Sequence, residues 1–147
     1  MKNTFALAMN LLKRFLPVPL VVFLCGSCSQ TFNIPRDIEP PKAAAMIQDN
    51  QSNKKFMLLD VRTPKEFEES HIPGAINIDY NSSSFRTEVG KLDRSVIYLL
   101  YCRAGNRSSS ALEVMKSMGF TRLAHIAGGI TAWKQAGLRT VSGVDKR

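Results

Sequence analysis

From residue 40 onward the apolar positions follow two rhythms that alternate along the chain. Residues 56–61 (Phe-Met-Leu-Leu-Asp-Val) and 96–101 (Val-Ile-Tyr-Leu-Leu-Tyr) are short runs that are apolar on both sides. Such runs predict strands covered on both faces, as in the middle of a parallel sheet. Residues 75–78 and 122–126 predict two further strands. Between them, apolar residues recur at helical spacing over 40–49 and 107–118, and more weakly over 82–92. Thr63-Pro64-Lys65-Glu66 is a helix start: Thr63 can cap, Pro64 suits the first helical position, and Glu66 can complete a capping box. That helix is short and stops near His71, before Pro73-Gly74. Gly128-Gly129 opens a last helix through Trp133 to Gln135, with Gly137 closing it. Strands alternating with helices predict an α/β fold: an open parallel sheet of about five strands, flanked by helices on both faces.

The first 28 residues follow a different pattern. After Lys13-Arg14 comes an almost wholly apolar stretch, 15–24, too short to span a bilayer as a mature helix. Basic residues, a short apolar core and then small residues predict a secretory signal over 1–28. Its end, Gly26-Ser27-Cys28, resembles the lipobox of bacterial lipoproteins. That resemblance implies cleavage before Cys28, diacylglycerol on its sulfur, and a membrane-anchored product facing the periplasm or cell envelope. Cys25 fits badly, because bulky Leu24 would occupy the cleavage position. Signal cleavage without lipid and an uncleaved anchor are the alternatives. The polar, Pro-bearing stretch 29–38 reads as a tether, which leaves 39–143 as the folded body.

Composition narrows the partners. The net charge is +8; Lys2, Lys13 and Arg14 precede residue 29 with no acid among them, so the remainder carries +5. No Lys/Arg cluster is interleaved with aromatics, so nucleic acid is not an expected partner. A positive field favours small anions. Of the three cysteines, only Cys102 lies in the body, which excludes an internal disulfide framework.

Cys102 follows the strongest strand and heads Cys-Arg-Ala-Gly-Asn-Arg (102–107), after which a helix begins. Ligands bind at the C-terminal edge of open parallel sheets. Backbone N–H groups of a tight loop, backed by a helix N-terminus, converge on such a spot and favour negative charge. Gly105 lets the loop curl, and Arg103 and Arg107 add positive charge. A thiol placed there has a lowered pKa and becomes a reactive, partly exposed nucleophile. The competing reading is a buried structural cysteine.

The body resembles the rhodanese family over about residues 36–140. The resemblance rests on Leu59-Asp60-Val61-Arg62 with Glu66-Phe67, His71-Ile72-Pro73-Gly74-Ala75-Ile76-Asn77, the Cys102–Arg107 loop, and Gly128-Gly129 with Trp133 and Gly137. It implies a rhodanese-like open sheet and a sulfurtransferase. Cys102 would attack the outer sulfur of a donor such as thiosulfate, hold it as a persulfide, and pass it to cyanide or a thiol. The substrate-binding loop would be Arg103, Ala104, Gly105, Asn106 and Arg107, with Arg107 and Arg103 orienting the anionic donor. No metal or organic cofactor is required, and a monomer is expected.

Related phosphatases and arsenate reductases place five residues between Cys and Arg. Here four residues separate Cys102 from Arg107, and position 108 is Ser. The shorter cradle suits one sulfur atom better than a tetrahedral oxyanion. Three function classes follow: a sulfurtransferase, a sulfane-sulfur carrier with little turnover, and, less favoured, a phosphatase-like or redox enzyme. Asp60 and Arg62 read as structural support, joined with Glu66 in an ion-pair network; Asp60 could also brace Arg107. His71 reads as a turn residue with a satisfied ring, His125 as structural, and Trp133 as core.

Overall fold

The computed structural model describes residues 34–143. The signal, Cys25, Cys28 and the first part of the tether lie outside the described residues. In chain order the elements are β1 (Asp37–Ile38), α1 (Pro40–Asp49), β2 (Phe56–Asp60), α2 (Pro64–Glu69) and β3 (Ile76–Asn77), then α3 (Phe85–Gly90), β4 (Ile97–Tyr101), α4 (Asn106–Ser117), β5 (Leu123–Ile126) and α5 (Gly129–Gln135). The five strands form one sheet in the order β1-β5-β4-β2-β3. Every neighbouring pair is parallel.

The period of two along β4 builds both cores. Tyr98, Leu100 and the following Cys102 pack with Phe85 and Val89 of α3 and Ala111, Leu112 and Met115 of α4. Leu99 and Tyr101 point the other way, against Ala43 of α1 and Ile130 and Trp133 of α5. Each buried Leu contributes about 2 kcal/mol relative to exposure, so a run apolar on both sides is stable only between two helical layers. The strand ends with Cys102 already inside the first core, at the carboxyl edge of the sheet.

One strand departs from the sequence-based boundary. Residues 37–38, assigned to the tether, pair with β5: Asp37 lies beside His125 and Ile38 beside Ile126. The His125 N–H donates to the Arg36 carbonyl at 2.8 Å, and that of Ala127 to the Ile38 carbonyl at 2.9 Å. Two residues carry no readable periodicity, and only the docked Ile38, 2% exposed, marks them as part of the fold. At the other end, His71 and Val141 exchange backbone hydrogen bonds at 2.8 and 2.9 Å, so the body runs to the end of the described chain.

Candidate active site

The loop from Cys102 to Ser108 is shaped from three sides. Gly105, at φ 102°, is the N-cap of α4 and turns the chain from the loop into the helix. Its N–H donates to the Cys102 sulfur at 3.1 Å, and the Ser108 hydroxyl lies 3.6 Å from that sulfur. From behind, the first turn of α5 takes up the loop carbonyls: Ile130 N–H donates to the Cys102 oxygen at 2.9 Å and Thr131 N–H to the Arg103 oxygen at 3.1 Å. With its carbonyls drawn toward α5, the loop can offer its N–H groups to the sulfur. The paired glycines allow this contact. Gly129 sits at φ 58°, and a Cβ there would overlap the Cys102 carbonyl oxygen and come within 2.8 Å of that of Arg103. The close-packed turn read from Gly128-Gly129 therefore carries the reactive loop.

The electrostatics favour a thiolate. Burial of the sulfur opposes ionisation, but hydrogen bonds from the backbone and hydroxyl of Ser108 and from the N–H groups of Gly105 and Ala104 outweigh it. The Cys102 pKa is lowered from its ordinary value. One expectation is corrected: Cys102 is 1% exposed rather than partly exposed, because it ends a central strand and its loop folds over it. Arg103, Ala104 and Asn106 form the exposed rim, while Gly105 is buried. Access to the sulfur is therefore narrow.

The two arginines separate in role. The Arg107 guanidinium is held by Glu66 through two hydrogen bonds of 2.8 Å, Nη1 to Oε2 and Nη2 to Oε1. Such forked pairing engages both Nη groups, so Arg107 clamps the loop to α2. Arg103 is exposed, and no hydrogen bond or ion pair among the described residues holds its side chain. It is left as the cation at the rim. Asp60 is not hydrogen-bonded to Arg107, though its charge adds to the raised Arg107 pKa, for which the hydrogen bond to Glu66 is the leading cause. Asp60 lies fully buried against Arg62, with Nη2 to Oδ2 at 2.5 Å, and Arg62 also donates to the Ser70 carbonyl at 2.7 Å. These contacts tie β2 to the end of α2.

Glu66 works at both ends. It completes the capping box with Thr63, accepting from the Thr63 N–H at 3.1 Å, while holding Arg107. The hydrogen bond from Arg107 leads the causes that lower the Glu66 carboxyl from 4.5 to about 2. A carboxyl with a lowered folded-state pKa adds stability above its unfolded value and loses it as pH falls through the folded one. Thermal melts of wild type and Glu66→Gln should therefore differ at pH 6 and converge as pH falls from about 4.5 to about 2. An unchanged gap at pH 2 would mean the clamp is not electrostatic.

Sequence reasoning missed a chain of polar side chains behind the sulfur. Ser108, fully buried, lies 3.1 Å from His125 Nδ1, and His125 Nε2 lies 2.6 Å from Asp37 Oδ1. His125 does sit in a strand as read, but its ring faces the loop and not a neutral core. His71 stacks on Phe67 with ring centroids 3.9 Å apart and shares Nδ1 with the Phe67 carbonyl at 2.9 Å. Its Nε2 is buried without a partner among the described residues, so the ring is only half satisfied. Trp133 is core, its Nε1 donating to the Arg139 carbonyl at 2.9 Å. A groove of about 690 Å³, lined by Ile47, Phe56, Leu58, Ile72 and Trp133 among others, includes no residue of the Cys102 loop. The chemistry, and not this groove, marks the site.

A parallel sheet in this order, with a cysteine-headed loop of four intervening residues at its carboxyl edge, defines a class. The family model for the rhodanese-like domain matches residues 40–136, and the chain belongs to that family. It is 37% identical over 102 residues to the Synechocystis protein slr1261, covering 67% of this chain and 54% of that one. It is 35% identical over 86 residues to a sulfurtransferase of Allochromatium vinosum, covering 58% of this chain and 78% of the relative. Thiosulfate sulfurtransferase PspE of Escherichia coli is 35% identical over 72 residues, 49% of this chain and 68% of its own. The chain thus spans about half of the Synechocystis protein, and only 21% of a mycobacterial adenylyltransferase/sulfurtransferase that it also matches. Among solved structures, a rhodanese-related protein of Thermoplasma volcanium superposes with a TM-score of 0.60 at 31% identity, over 73% of this chain and 98% of that one.

Proposed function

We propose that the protein moves a sulfane sulfur from a donor such as thiosulfate, through a persulfide on Cys102, to cyanide or a thiol acceptor. The observation that carries this reading is the Cys102 sulfur itself, buried under a loop whose N–H groups and one hydroxyl stabilise negative charge on it. The thiolate attacks the outer sulfur of thiosulfate. A new S–S bond forms, the donor S–S bond breaks, and sulfite leaves with the electron pair. The cradle that favours the thiolate also favours the terminal sulfur of the persulfide. Cyanide then attacks that sulfur, leaving as thiocyanate and returning the thiolate; a thiol acceptor leaves as a persulfide. Arg103, free at the rim, is suited to attract the dianionic donor. The narrow access and the four-residue loop favour one sulfur over a tetrahedral phosphate.

We also propose that this chemistry takes place outside the cytoplasm, with the domain tethered through lipid on Cys28. Intact-mass spectrometry of the purified full chain, before and after thiosulfate, tests both readings. The expected results are a gain of one sulfur on Cys102 and a diacylglyceryl mass on an N-terminal Cys28. Sulfur gain with thiocyanate production identifies the enzyme. Sulfur gain without turnover identifies a carrier. No gain from any sulfane donor overturns the proposal, and an unmodified start at Ser29 overturns the lipid.

A further inference from the structure

Ser108 has one proton and three neighbours for it. Its hydroxyl lies 3.6 Å from the Cys102 sulfur, 3.0 Å from the Gly105 carbonyl and 3.1 Å from His125 Nδ1. The Gly105 carbonyl already accepts the Ser109 N–H at 2.9 Å. The Gly105 oxygen keeps a second lone pair for the hydroxyl, and between the sulfur and the ring the direction of the Ser108 proton is set by His125. The Asp37 carboxylate only accepts, so His125 Nε2, 2.6 Å away, carries a proton. If Nδ1 is bare, it accepts from Ser108, and the hydroxyl turns a lone pair toward the sulfur. If Nδ1 is protonated, it donates to Ser108, and the hydroxyl is free to donate to the sulfur. The second arrangement satisfies every group when the sulfur is a thiolate.

We propose that Asp37, His125 and Ser108 form a proton relay that ionises Cys102. The Cys102 thiol passes its proton to the Ser108 oxygen as Ser108 passes its own to His125 Nδ1. The products are a thiolate and an imidazolium bridged by an intact hydroxyl, with the Asp37 carboxylate against the far side of the ring. One S–H bond and one O–H bond break, one O–H bond and one N–H bond form, and no redox partner is involved. His125 acts through Ser108, so it is a positioning residue. Its other surroundings do not compete for the proton. Leu100 of β4 is its register partner, and Arg36, just before β1, and Glu113 of α4 are paired with each other at 2.7 Å. The relay also explains why the two-residue β1 matters: it delivers Asp37, 88 positions from His125 in sequence, to the ring.

This inference rests on Cys102 being the nucleophile, yet its test uses no sulfur donor. Iodoacetamide alkylation of the full chain is followed as a function of pH on the peptide that contains Cys102. In His125→Asn the reactivity profile should move up by about one pH unit, slowing alkylation near pH 6.5 about tenfold. Ser108→Ala should shift it in the same direction, and the double variant no further than Ser108→Ala alone. Asp37 is 66% exposed at its side chain, so Asp37→Asn reports on the relay without disturbing the core, and a smaller upward shift is expected. A purely structural His125 would lower Tm and leave the profile in place. An unmoved profile in both His125→Asn and Asp37→Asn overturns the relay, as does an effect of His125→Asn that persists without the Ser108 hydroxyl. Failure of sulfur to load on Cys102 would instead overturn the proposed function, whatever the alkylation profile.

Discussion

Cys102→Ser is expected to lose sulfur loading and transfer by at least about a thousandfold while keeping the fold. The hydroxyl of serine does not ionise near neutral pH and cannot hold a sulfane sulfur as a persulfide. Serine is smaller than cysteine and accepts the same hydrogen bonds, from Gly105 N–H and from the Ser108 hydroxyl. The core around position 102, with Val61, Leu100 and Leu112, should therefore stay closed. The check is a pair of measurements on one preparation: mass gain after thiosulfate, and Tm against wild type. Loading that survives in Cys102→Ser would move the chemistry to another residue, with Cys25 and Cys28 the next thiols to map.

Gly129→Ala should damage both stability and the site. A methyl group there overlaps the carbonyl oxygen of Cys102 and presses on that of Arg103, and both are backbone atoms with little room to yield. The left-handed conformation adds about 1–2 kcal/mol and the overpacking roughly 1–3 kcal/mol. The sum is a large part of the stability of a domain this size. Relief requires α5 to move back, which breaks the hydrogen bonds from Ile130 and Thr131 that orient the loop. Cys102 alkylation at neutral pH should fall along with Tm. Gly137→Ala is the matched control, since Gly137 also lies at positive φ, 70°, but its Cβ would meet nothing within 4 Å. It should cost about 1–2 kcal/mol and leave Cys102 reactivity unchanged. Equal loss of reactivity in the two variants would show that the close approach at Gly129 does not shape the loop.

The two predictions differ in how readable their grounds were. Cys102 announces itself locally, through a strand, a glycine, two arginines and a helix start within a dozen residues. Gly129 announces only a tight turn; that the turn presses on Cys102 depends on how α5 docks. The partner of Arg107 was not legible for a related reason. A charged residue beside a nucleophile invites a substrate role, and only the fold brings Glu66, 41 positions away, to occupy it.

The sequence by itself determined the elements other than β1, the parallel α/β class and Cys102 as the candidate nucleophile, because each rests on contacts between residues near one another. A run apolar on both sides has to be a covered strand, and Thr63-Pro64-Lys65-Glu66 has to begin a helix, whatever lies elsewhere. The tertiary structure alone decided which polar side chains meet. It placed the two-residue β1 beside β5, turned His125 toward Ser108, set Asp37 behind it, and sank Cys102 beneath its loop. Hydrophobic periodicity specifies which face of an element is buried. It is silent on the register that brings one hydroxyl, one imidazole and one carboxylate into line, since that register comes from the packing of strands and helices far apart in the chain.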